Sequence, residues 1–289
     1  MDLKILENES LARHTTFKIG GNARYLVLPE NIEQVKSAID FAKKLDLPFE
    51  ILGNGSNVLV SDNGYKGVII KLTKMNDMSL NGDKLTCQSG ALLSKVGNFC
   101  LEHSKTGFET LCGIPGTVGG GVFMNAGAYG GEISDILQSS TYMDLNGNIF
   151  ELKKEQHDFA YRHSFYSENQ QYIILNATFE LGNGNYDEIK ALMDDCKFKR
   201  IDKQPIEFPS AGSTFKRPVG YFAGKLVEDA GLKGYRVGGA CISPKHAGFV
   251  VNDEKATCND VLTLISYVKK QVLDKYNVEL ECEIKKIGD

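Results

Sequence analysis

The chain has 289 residues, with 33 Lys and Arg against 37 Asp and Glu, 42% hydrophobic residues and a net charge of −4. This composition excludes a disordered chain, and a mildly acidic protein without a dense basic block is a poor partner for nucleic acids or anionic membranes. At this length a single core usually stops growing, so we expect two domains.

Strand and helix signals alternate in the first part of the chain. Strand patterns at 16–21 and 23–29 precede a predicted helix at 31–45, and a buried strand at 49–53 then enters a glycine-rich loop. More strand signal follows the loop at 58–60 and 68–72. A Rossmann fold would place a helix there, so the context disfavours it. A second strand and helix are predicted at 85–91 and 92–103.

The second half begins with a glycine-rich segment at 113–131 that offers little for a long regular element. The patterns then predict strands at 137–151 and 171–182 and helices at 186–202, 222–230 and 258–275. A closing strand is predicted at 278–287. Two prolines within QPIEFPSAG mark the clearest boundary. The sequence therefore predicts an α+β protein with a large glycine-rich part and a smaller C-terminal part.

The 7 cysteines are scattered, with no CxxC pair and no Cys/His pair at metal-ligand spacing. We expect reduced, mostly buried thiols and no metal site. The N-terminus lacks the pattern of a secretory signal, and no stretch approaches the roughly 18 apolar residues of a membrane span. These features predict a cytoplasmic protein without membrane insertion.

Glycine is unusually frequent, at 30 residues, and it clusters in two loops. The first loop consists of Gly53, Asn54, Gly55, Ser56 and Asn57. Its main-chain N–H groups could surround a diphosphate, although a simple tight turn explains it equally well. The second, Gly113-Ile114-Pro115-Gly116-Thr117-Val118-Gly119-Gly120, is harder to explain as an ordinary loop. Together they could hold the two ends of one extended cofactor, and the absence of GxxxxGK[ST] excludes a P-loop.

Several polar motifs could carry chemistry. Arg162 lies in YRHSFY and could pair with a carboxylate or an oxyanion, or it could simply extend from an aromatic strand. Ser213 lies in SAGSTFKRP without a G-x-S-x-G context, so a hydrolase nucleophile is disfavoured, whereas proton delivery is possible. In a regular strand Glu281 and Glu283 would share one face, which either meets water or enters a site.

Taken in order, the motifs resemble the UDP-N-acetylenolpyruvoylglucosamine reductase family nearly from end to end. The matching segments are HTTFKIGGNARYLVLP, ILGNGSNVLVSDNGYKGVIIKL, GFETLCGIPGTVGGGVFMNAGAYGGEISD, YRHSFY, SAGSTFKRP, GKLVEDAGLKG, ISPKHAGFVVN and LECEIKKIG. The resemblance implies a noncovalent FAD-binding domain of the vanillyl-alcohol-oxidase (PCMH) type at 1–204, with subdomains at about 1–72 and 73–204, and a substrate-binding domain at 205–289. The short spacing after Tyr166 resembles the compact subtype that lacks an extra substrate loop.

The resemblance also implies a reaction in peptidoglycan precursor synthesis, in which NADPH reduces UDP-N-acetylglucosamine enolpyruvate to UDP-N-acetylmuramate through FAD. It makes Ser213 the proton donor, Glu283 the C-terminal acidic residue and Arg162 the cation that faces the enolpyruvyl carboxylate. Because an ionised Glu283 would repel the negative charge that develops there, we expect this carboxyl to be protonated in the complex. No protein partner is implied.

We expect two further sets of binding residues. FAD would contact the first loop with its diphosphate and the second loop with its isoalloxazine and ribityl groups, through Gly113, Ile114, Pro115, Gly116, Thr117, Gly119 and Gly120. The UDP diphosphate would be bound by Lys216, Arg217, Tyr221 and Lys225, and His246 and Asn252 are further candidates for substrate binding.

Two alternatives remain open at the level of sequence. One is a sugar or alcohol oxidase on the same flavin fold, which would not need Arg162, Ser213 and Glu283 together. The other is a noncatalytic protein that binds a flavin or a UDP-sugar.

Overall fold

A computed structural model describes residues 3–289. Its strands are β1 (Ile5–Ser10), β2 (Asn22–Val27), β3 (Phe49–Leu52), β4 (Val58–Val60), β5 (Tyr65–Lys71), β6 (Met78–Asn81), β7 (Lys84–Gln88), β8 (Lys105–Thr106), β9 (Gly127–Ala128), β10 (Gly131–Glu132), β11 (Leu137–Met143), β12 (Ile149–Lys153), β13 (Ile173–Glu180), β14 (Gly182–Asn183), β15 (Ser210–Ser213), β16 (Arg236–Val237), β17 (Ala240–Ile242), β18 (Phe249–Asn252) and β19 (Lys285–Ile287).

The helices are α1 (Ile32–Lys44), α2 (Leu93–Glu102), α3 (Val118–Phe123), α4 (Ile133–Ile136), α5 (Phe165–Glu168), α6 (Tyr186–Lys203), α7 (Ala223–Asp229) and α8 (Cys258–Tyr276). Short 3-10 turns occupy Leu11–His14, Leu72–Lys74 and Lys154–Gln156. None of the helices in residues 3–289 is long and apolar enough to cross a membrane.

Contacts between residues divide the chain into two interleaved compact units. The first contains Leu26–Asn54 and Ile69–Lys199 together with the described residues up to Ile5, and the second contains Leu6–Tyr25, Gly55–Val68 and Arg200–Asp289. The predicted domain boundary at residue 204 would make each domain one continuous stretch of sequence, whereas each of these units combines separate stretches of the chain. One reason is that β4 pairs in parallel with β19 near the end of the chain.

The first unit is built on a five-stranded antiparallel sheet of order β12-β11-β13-β7-β6. Buried apolar residues alternate with less buried polar ones in β13 from Leu175 to Phe179, and Ala177 lies opposite Cys87 of β7. The core of the unit includes Phe108 and Phe179, whose rings meet edge to face at 4.9 Å. Helices α2 and α3 contribute buried apolar residues to the same core. A separate four-stranded sheet of order β1-β2-β5-β3 is formed by strands between Ile5 and Lys71.

The second unit contains the sheet β15-β18-β17-β16, packed with α7 and α8. Helix α8 buries an apolar stripe at helical spacing, formed by Val261, Leu264, Ile265, Val268 and Val272. The Asp62 carboxylate accepts hydrogen bonds from the N–H groups of Cys258 and Asn259 at 2.7 and 3.0 Å. These bonds satisfy two N–H groups that the first turn leaves without helical partners.

The helices predicted from periodicity are confirmed, and so are the strands at 49–53, 58–60 and 85–91 to within a few residues. The strand predicted at 16–21 is wrong, because the structure has a bend and irregular backbone there. The continuous strand predicted at 278–287 is also wrong, since β19 covers only Lys285–Ile287. The main chain changes its pairing partner within that segment. Cys282 forms an isolated antiparallel β-bridge with Phe215, whereas β19 pairs with β4. All seven cysteines are free thiols, as predicted, and five of them are buried.

A buried hydrogen-bonded chain lies under the YRHSFY segment of the first unit. His157 Nε2 lies 2.7 Å from Ser140 Oγ, which lies 2.6 Å from the Tyr166 hydroxyl, and His157 Nδ1 lies 2.9 Å from the Lys153 carbonyl oxygen. All three side chains are almost fully buried. Because a carbonyl only accepts, Nδ1 carries the proton of the neutral imidazole, and Nε2 accepts from Ser140.

Burial lowers the pKa of His157, which gives a direction for the dependence of stability on pH. The unfolded chain takes up a proton near pH 6.5, whereas the folded site resists it, so the free energy of unfolding should fall as the pH drops below that value. Urea unfolding at a series of pH values should show a smaller loss for His157→Gln than for the parent. Burial also lowers the pKa of His246, so part of the loss should remain. The exposed His103→Gln is the control, and equal pH dependence in all three proteins would contradict the prediction.

Candidate active site

The two glycine loops contact each other in the first unit. The Asn54 side-chain amide donates to the Pro115 carbonyl at 2.6 Å. A Cβ added at Gly53 would lie 2.5 Å from Thr117 Oγ1. Thr117 is buried and caps α3, because its Oγ1 accepts a hydrogen bond from the Gly120 N–H. These contacts place Gly53 and Asn54 of the first loop directly against Pro115 and Thr117 of the second.

The glycines of these loops serve two different needs. A Cβ at Gly119 would lie 1.9 Å from Ser89 Oγ, so this position must be bare for the chain to pack. Gly120 is exposed, and a Cβ there would meet only Thr117 Oγ1 at 3.6 Å. Chain packing thus explains Gly53 and Gly119, whereas Gly120 leaves main chain open to a close approach.

The rest of the first loop belongs to the second unit. Gly55 has a φ of +69° and is buried against the main chain of His14, whose carbonyl would lie 2.4 Å from an added Cβ. The Thr16 N–H donates to the Gly55 carbonyl at 3.1 Å. The Thr15 hydroxyl is buried beside this glycine and has no hydrogen-bond partner in residues 3–289. Packing of the chain thus explains Gly55, and the unpartnered Thr15 hydroxyl offers a hydrogen bond that would suit an oxygen-rich ligand such as a diphosphate.

Asn57, at the end of the first loop, is bonded to the segment that carries Glu283. Its side-chain amide donates to the Glu283 carbonyl at 3.2 Å, and the Lys285 N–H donates to the Asn57 carbonyl at 3.0 Å. In turn, the Glu283 N–H donates to the Thr214 carbonyl at 2.9 Å. The second unit therefore joins the first loop, the Glu283 segment and the strand that ends at Ser213.

Ser213 is exposed at the end of β15. The pairing of β15 with β18 is irregular between Ser210 and Ser213, and Gly212 has a φ of +76° within this irregularity. The next residue, Thr214, is fully buried, and its hydroxyl accepts a hydrogen bond from the Val250 N–H at 2.9 Å. A bulge beside a firmly anchored residue thus presents the Ser213 side chain at the surface.

Glu281 and Glu283 lie in different environments, although a regular strand would place them together. Glu281 is exposed and forms an ion pair with Lys216 at 2.5 Å. Glu283 is half-buried. The structure therefore separates a solvent-facing glutamate from one that lies next to the Ser213 strand.

The two lysines predicted to bind the UDP diphosphate already have acidic partners. Lys216 pairs with Glu281, and Lys225 pairs with Asp229 at 2.6 Å, a contact that raises the pKa of Lys225. The surface is therefore less positive than the sequence suggested, and a ligand phosphate would compete with a carboxylate for either lysine. The Arg217 guanidinium lies 4.9 Å from the centre of the Phe222 ring, and Tyr221 is exposed nearby.

His246 and Asn252 make contacts within the second unit. His246 Nδ1 accepts a hydrogen bond from the Gly248 N–H at 3.1 Å, and burial lowers its pKa. The Asn252 amide donates to the Phe17 carbonyl at 3.1 Å, and its oxygen accepts from the Ala256 N–H at 2.8 Å. Asn252 also lines an open cavity of about 600 Å³ in this unit. Both side chains therefore form hydrogen bonds with main-chain groups of the second unit, and their contacts with substrate stay predictions.

Arg162 lies in the first unit, at a tight turn between Ala160 and His163. Its φ is +55°, and its guanidinium lies 5.0 Å from the centre of the Tyr161 ring. The side chain is half-buried.

Within residues 3–289, no group of three or more His, Cys, Asp or Glu side chains is arranged to hold a metal ion.

Comparisons with known proteins identify both parts of the chain. Residues 23–153 match the profile described as "FAD binding domain", and residues 204–287 match the C-terminal domain of UDP-N-acetylenolpyruvoylglucosamine reductase. The reductase of Clostridium novyi is 50% identical over 99% of this chain and 93% of its own length. The reductase of Clostridioides difficile is 50% identical over 100% of this chain and 94% of its own length.

Solved structures agree with these matches. The crystal structure of UDP-N-acetylenolpyruvylglucosamine reductase from Thermus caldophilus superposes with a TM-score of 0.84 at 32% identity and covers 100% of both chains. Phl p 4.0202, a glucose dehydrogenase, reaches a TM-score of 0.50 at 14% identity over 93% of this chain and 56% of its own, so it shares the fold alone.

Proposed function

Because the chain belongs to the UDP-N-acetylenolpyruvoylglucosamine reductase family, we propose that Arg162, Ser213 and Glu283 carry its reaction. The protein is an FAD-dependent oxidoreductase that reduces UDP-N-acetylglucosamine enolpyruvate to UDP-N-acetylmuramate, a step in peptidoglycan synthesis. Bound FAD supplies the redox chemistry that carries a hydride from NADPH to the methylene carbon of the enolpyruvyl ether. The residues of this chain bind and orient the reactants and control charge and protons.

We assign FAD to the two glycine loops. The loop Gly53–Asn57 is assigned to the diphosphate through its main chain and small polar side chains, and Gly113–Gly120 is assigned to the isoalloxazine and ribityl groups. The exposed, bare Gly120 supports this assignment. The absence of His and Cys from the first loop supports noncovalent binding.

The main observation that supports the proposed chemistry is the hydrogen bond from the Glu283 N–H to the Thr214 carbonyl. It joins the Glu283 segment to the strand of Ser213, and both belong to the second unit. We assign protonation of the α carbon to the Ser213 hydroxyl, whose exposure at the surface suits proton delivery. Delivery from one side would also fix the D configuration of the lactyl group.

Arg162 and Glu283 are assigned to the substrate carboxylate. Addition of a hydride to an α,β-unsaturated carboxylate places negative charge on its oxygens, and a preorganised guanidinium stabilises that charge. A protonated Glu283 donates a hydrogen bond to the same charge, whereas an ionised one would oppose it. We assign the UDP moiety to the domain at 205–289, with Lys216, Arg217, Tyr221, Lys225, His246 and Asn252 as the candidate contacts.

An anaerobic spectral titration tests the reaction as a whole. The flavin absorption of the purified holoprotein should bleach on addition of NADPH and return on addition of UDP-N-acetylglucosamine enolpyruvate. A protein that stays bleached would contradict the proposed second half-reaction and favour an oxidase or a noncatalytic binding protein. A colourless protein that cannot be loaded with FAD would contradict the assignment of the two loops.

A further inference from the structure

We propose that Asn125 and Ser164 are positioning residues, which hold Arg162 in place by fastening its turn to the C-terminal end of α3. The inference rests on the role proposed for Arg162. Neither residue belongs to the sets predicted from the sequence, although Asn125 lies in the glycine-rich segment and Ser164 lies within YRHSFY.

The turn that carries Arg162 is short and has an uncommon conformation. Its closing residues exchange backbone hydrogen bonds, from the Ala160 N–H to the His163 carbonyl at 3.3 Å and from the His163 N–H to the Ala160 carbonyl at 3.1 Å. Arg162 adopts a φ of +55°, in the left-handed region that non-glycine residues seldom occupy. Such a conformation persists when surrounding contacts determine it.

Asn125 supplies one of these contacts. Its side chain is 1% exposed, and its amide donates to the Ala160 carbonyl at 3.2 Å and to the Glu132 carboxylate at 2.8 Å. Its oxygen accepts a hydrogen bond from the Ser134 N–H at 3.0 Å. The buried amide thus uses both its donor and acceptor atoms, and one of its bonds reaches the base of the Arg162 turn.

Ser164 supplies a second contact from the other side of the turn. It is fully buried, and its hydroxyl donates to the Phe123 carbonyl at 2.7 Å. Phe123 is the last residue of α3, and Asn125 follows two residues later. The residues before and after Arg162 are therefore both fastened to the same end of one helix.

Helix α3 connects these contacts to the second glycine loop. It begins after Thr117, within that loop, and buries Val118 and Val122 completely. Gly119 packs against Ser89, so the helix has little freedom to shift. A rigid path within the first unit thus runs from the loop assigned to FAD, through α3, to the Arg162 turn.

The two half-reactions measure this role separately. In anaerobic stopped-flow experiments, Asn125→Ala and Ser164→Ala should slow flavin reoxidation by the enolpyruvyl substrate by at least about tenfold, because a displaced guanidinium stabilises the developing charge poorly. Flavin reduction by NADPH should stay within about twofold of the parent rate, since it does not use Arg162. Asn125→Asp loses the donor to Ala160 and also places a carboxylate against that of Glu132, so it should slow reoxidation at least as much as Asn125→Ala.

Thr178→Ala is the matched control. It removes a side-chain hydrogen bond to Thr86 between β7 and β13 in the main sheet of the same unit, and Thr178 takes part in none of the hydrogen bonds described for the turn. It should leave both half-reactions at the parent rate. FAD content and the urea midpoint of every variant establish that the compared proteins are folded and loaded.

Arg162→Lys separates failure of this inference from failure of the proposed function. If Arg162→Lys reoxidises at the parent rate, the role of Arg162 is wrong. If Arg162→Lys is slow while both Asn125 variants and Ser164→Ala reoxidise at the parent rate, only the positioning role is overturned. Equal slowing of both half-reactions in the Asn125 and Ser164 variants would also overturn it, since that result indicates general damage.

Discussion

Replacement of Ser213 by alanine is expected to slow reduction of the enolpyruvyl substrate by about 10²- to 10⁴-fold, the range typical of a lost general acid. Flavin reduction by NADPH should remain near the parent rate, because that half-reaction needs no proton from Ser213. Anaerobic stopped-flow absorbance measures the two steps independently. The bulge at Gly212 presents this hydroxyl at the surface, so the substitution should leave the core intact.

Ser210→Ala is the matched control for this experiment. Ser210 begins the same strand. Its main-chain carbonyl accepts a hydrogen bond from the Thr16 hydroxyl at 2.7 Å, and the substitution retains this carbonyl. Its half-reactions should both stay near the parent rates. An equal loss in both half-reactions of Ser213→Ala would show that this serine is not the specific proton donor.

Gly53→Ala is expected to weaken FAD binding by about tenfold or more, equivalent to at least about 1.4 kcal/mol. The new Cβ would lie 2.5 Å from Thr117 Oγ1 and would force apart the two loops to which we assign the cofactor. Fluorescence titration of apoprotein with FAD measures the affinity, and urea unfolding of the apoprotein shows whether folding is also affected.

A second substitution tests the cause of that loss. Thr117→Ala removes the clashing oxygen and leaves Thr117 Cβ 3.6 Å from the added methyl, an ordinary contact, so the double variant should recover much of the FAD affinity. Thr117→Ala alone serves as the control, since it also removes the cap of α3. Gly55→Ala should not be rescued, because its neighbour is the His14 carbonyl and its φ is +69°. No recovery in the double variant would contradict the steric explanation.

The motifs of the candidate site can be read from the sequence, whereas the local environments of their residues cannot. Lys216 and Lys225 were predicted as cations for a diphosphate, and the structure pairs each with a carboxylate. Lys225 pairs with Asp229 one helical turn away, a spacing that the sequence already displays. Lys216 pairs with a residue 65 positions distant, and no local pattern indicates that contact.

The sequence by itself determined the α+β class, the periodic helices α1 and α8, the two glycine loops and the family. These properties depend on spacing within short segments or on whole-chain similarity. Only the tertiary structure decided that Glu281 meets solvent while Glu283 is half-buried and that Asn57 binds the Glu283 main chain. It also decided that the Ser164 hydroxyl, near the Arg162 turn, donates to the end of α3. The physical reason is that hydrogen bonds and packing join residues far apart in the chain, and local periodicity carries no information about such partners.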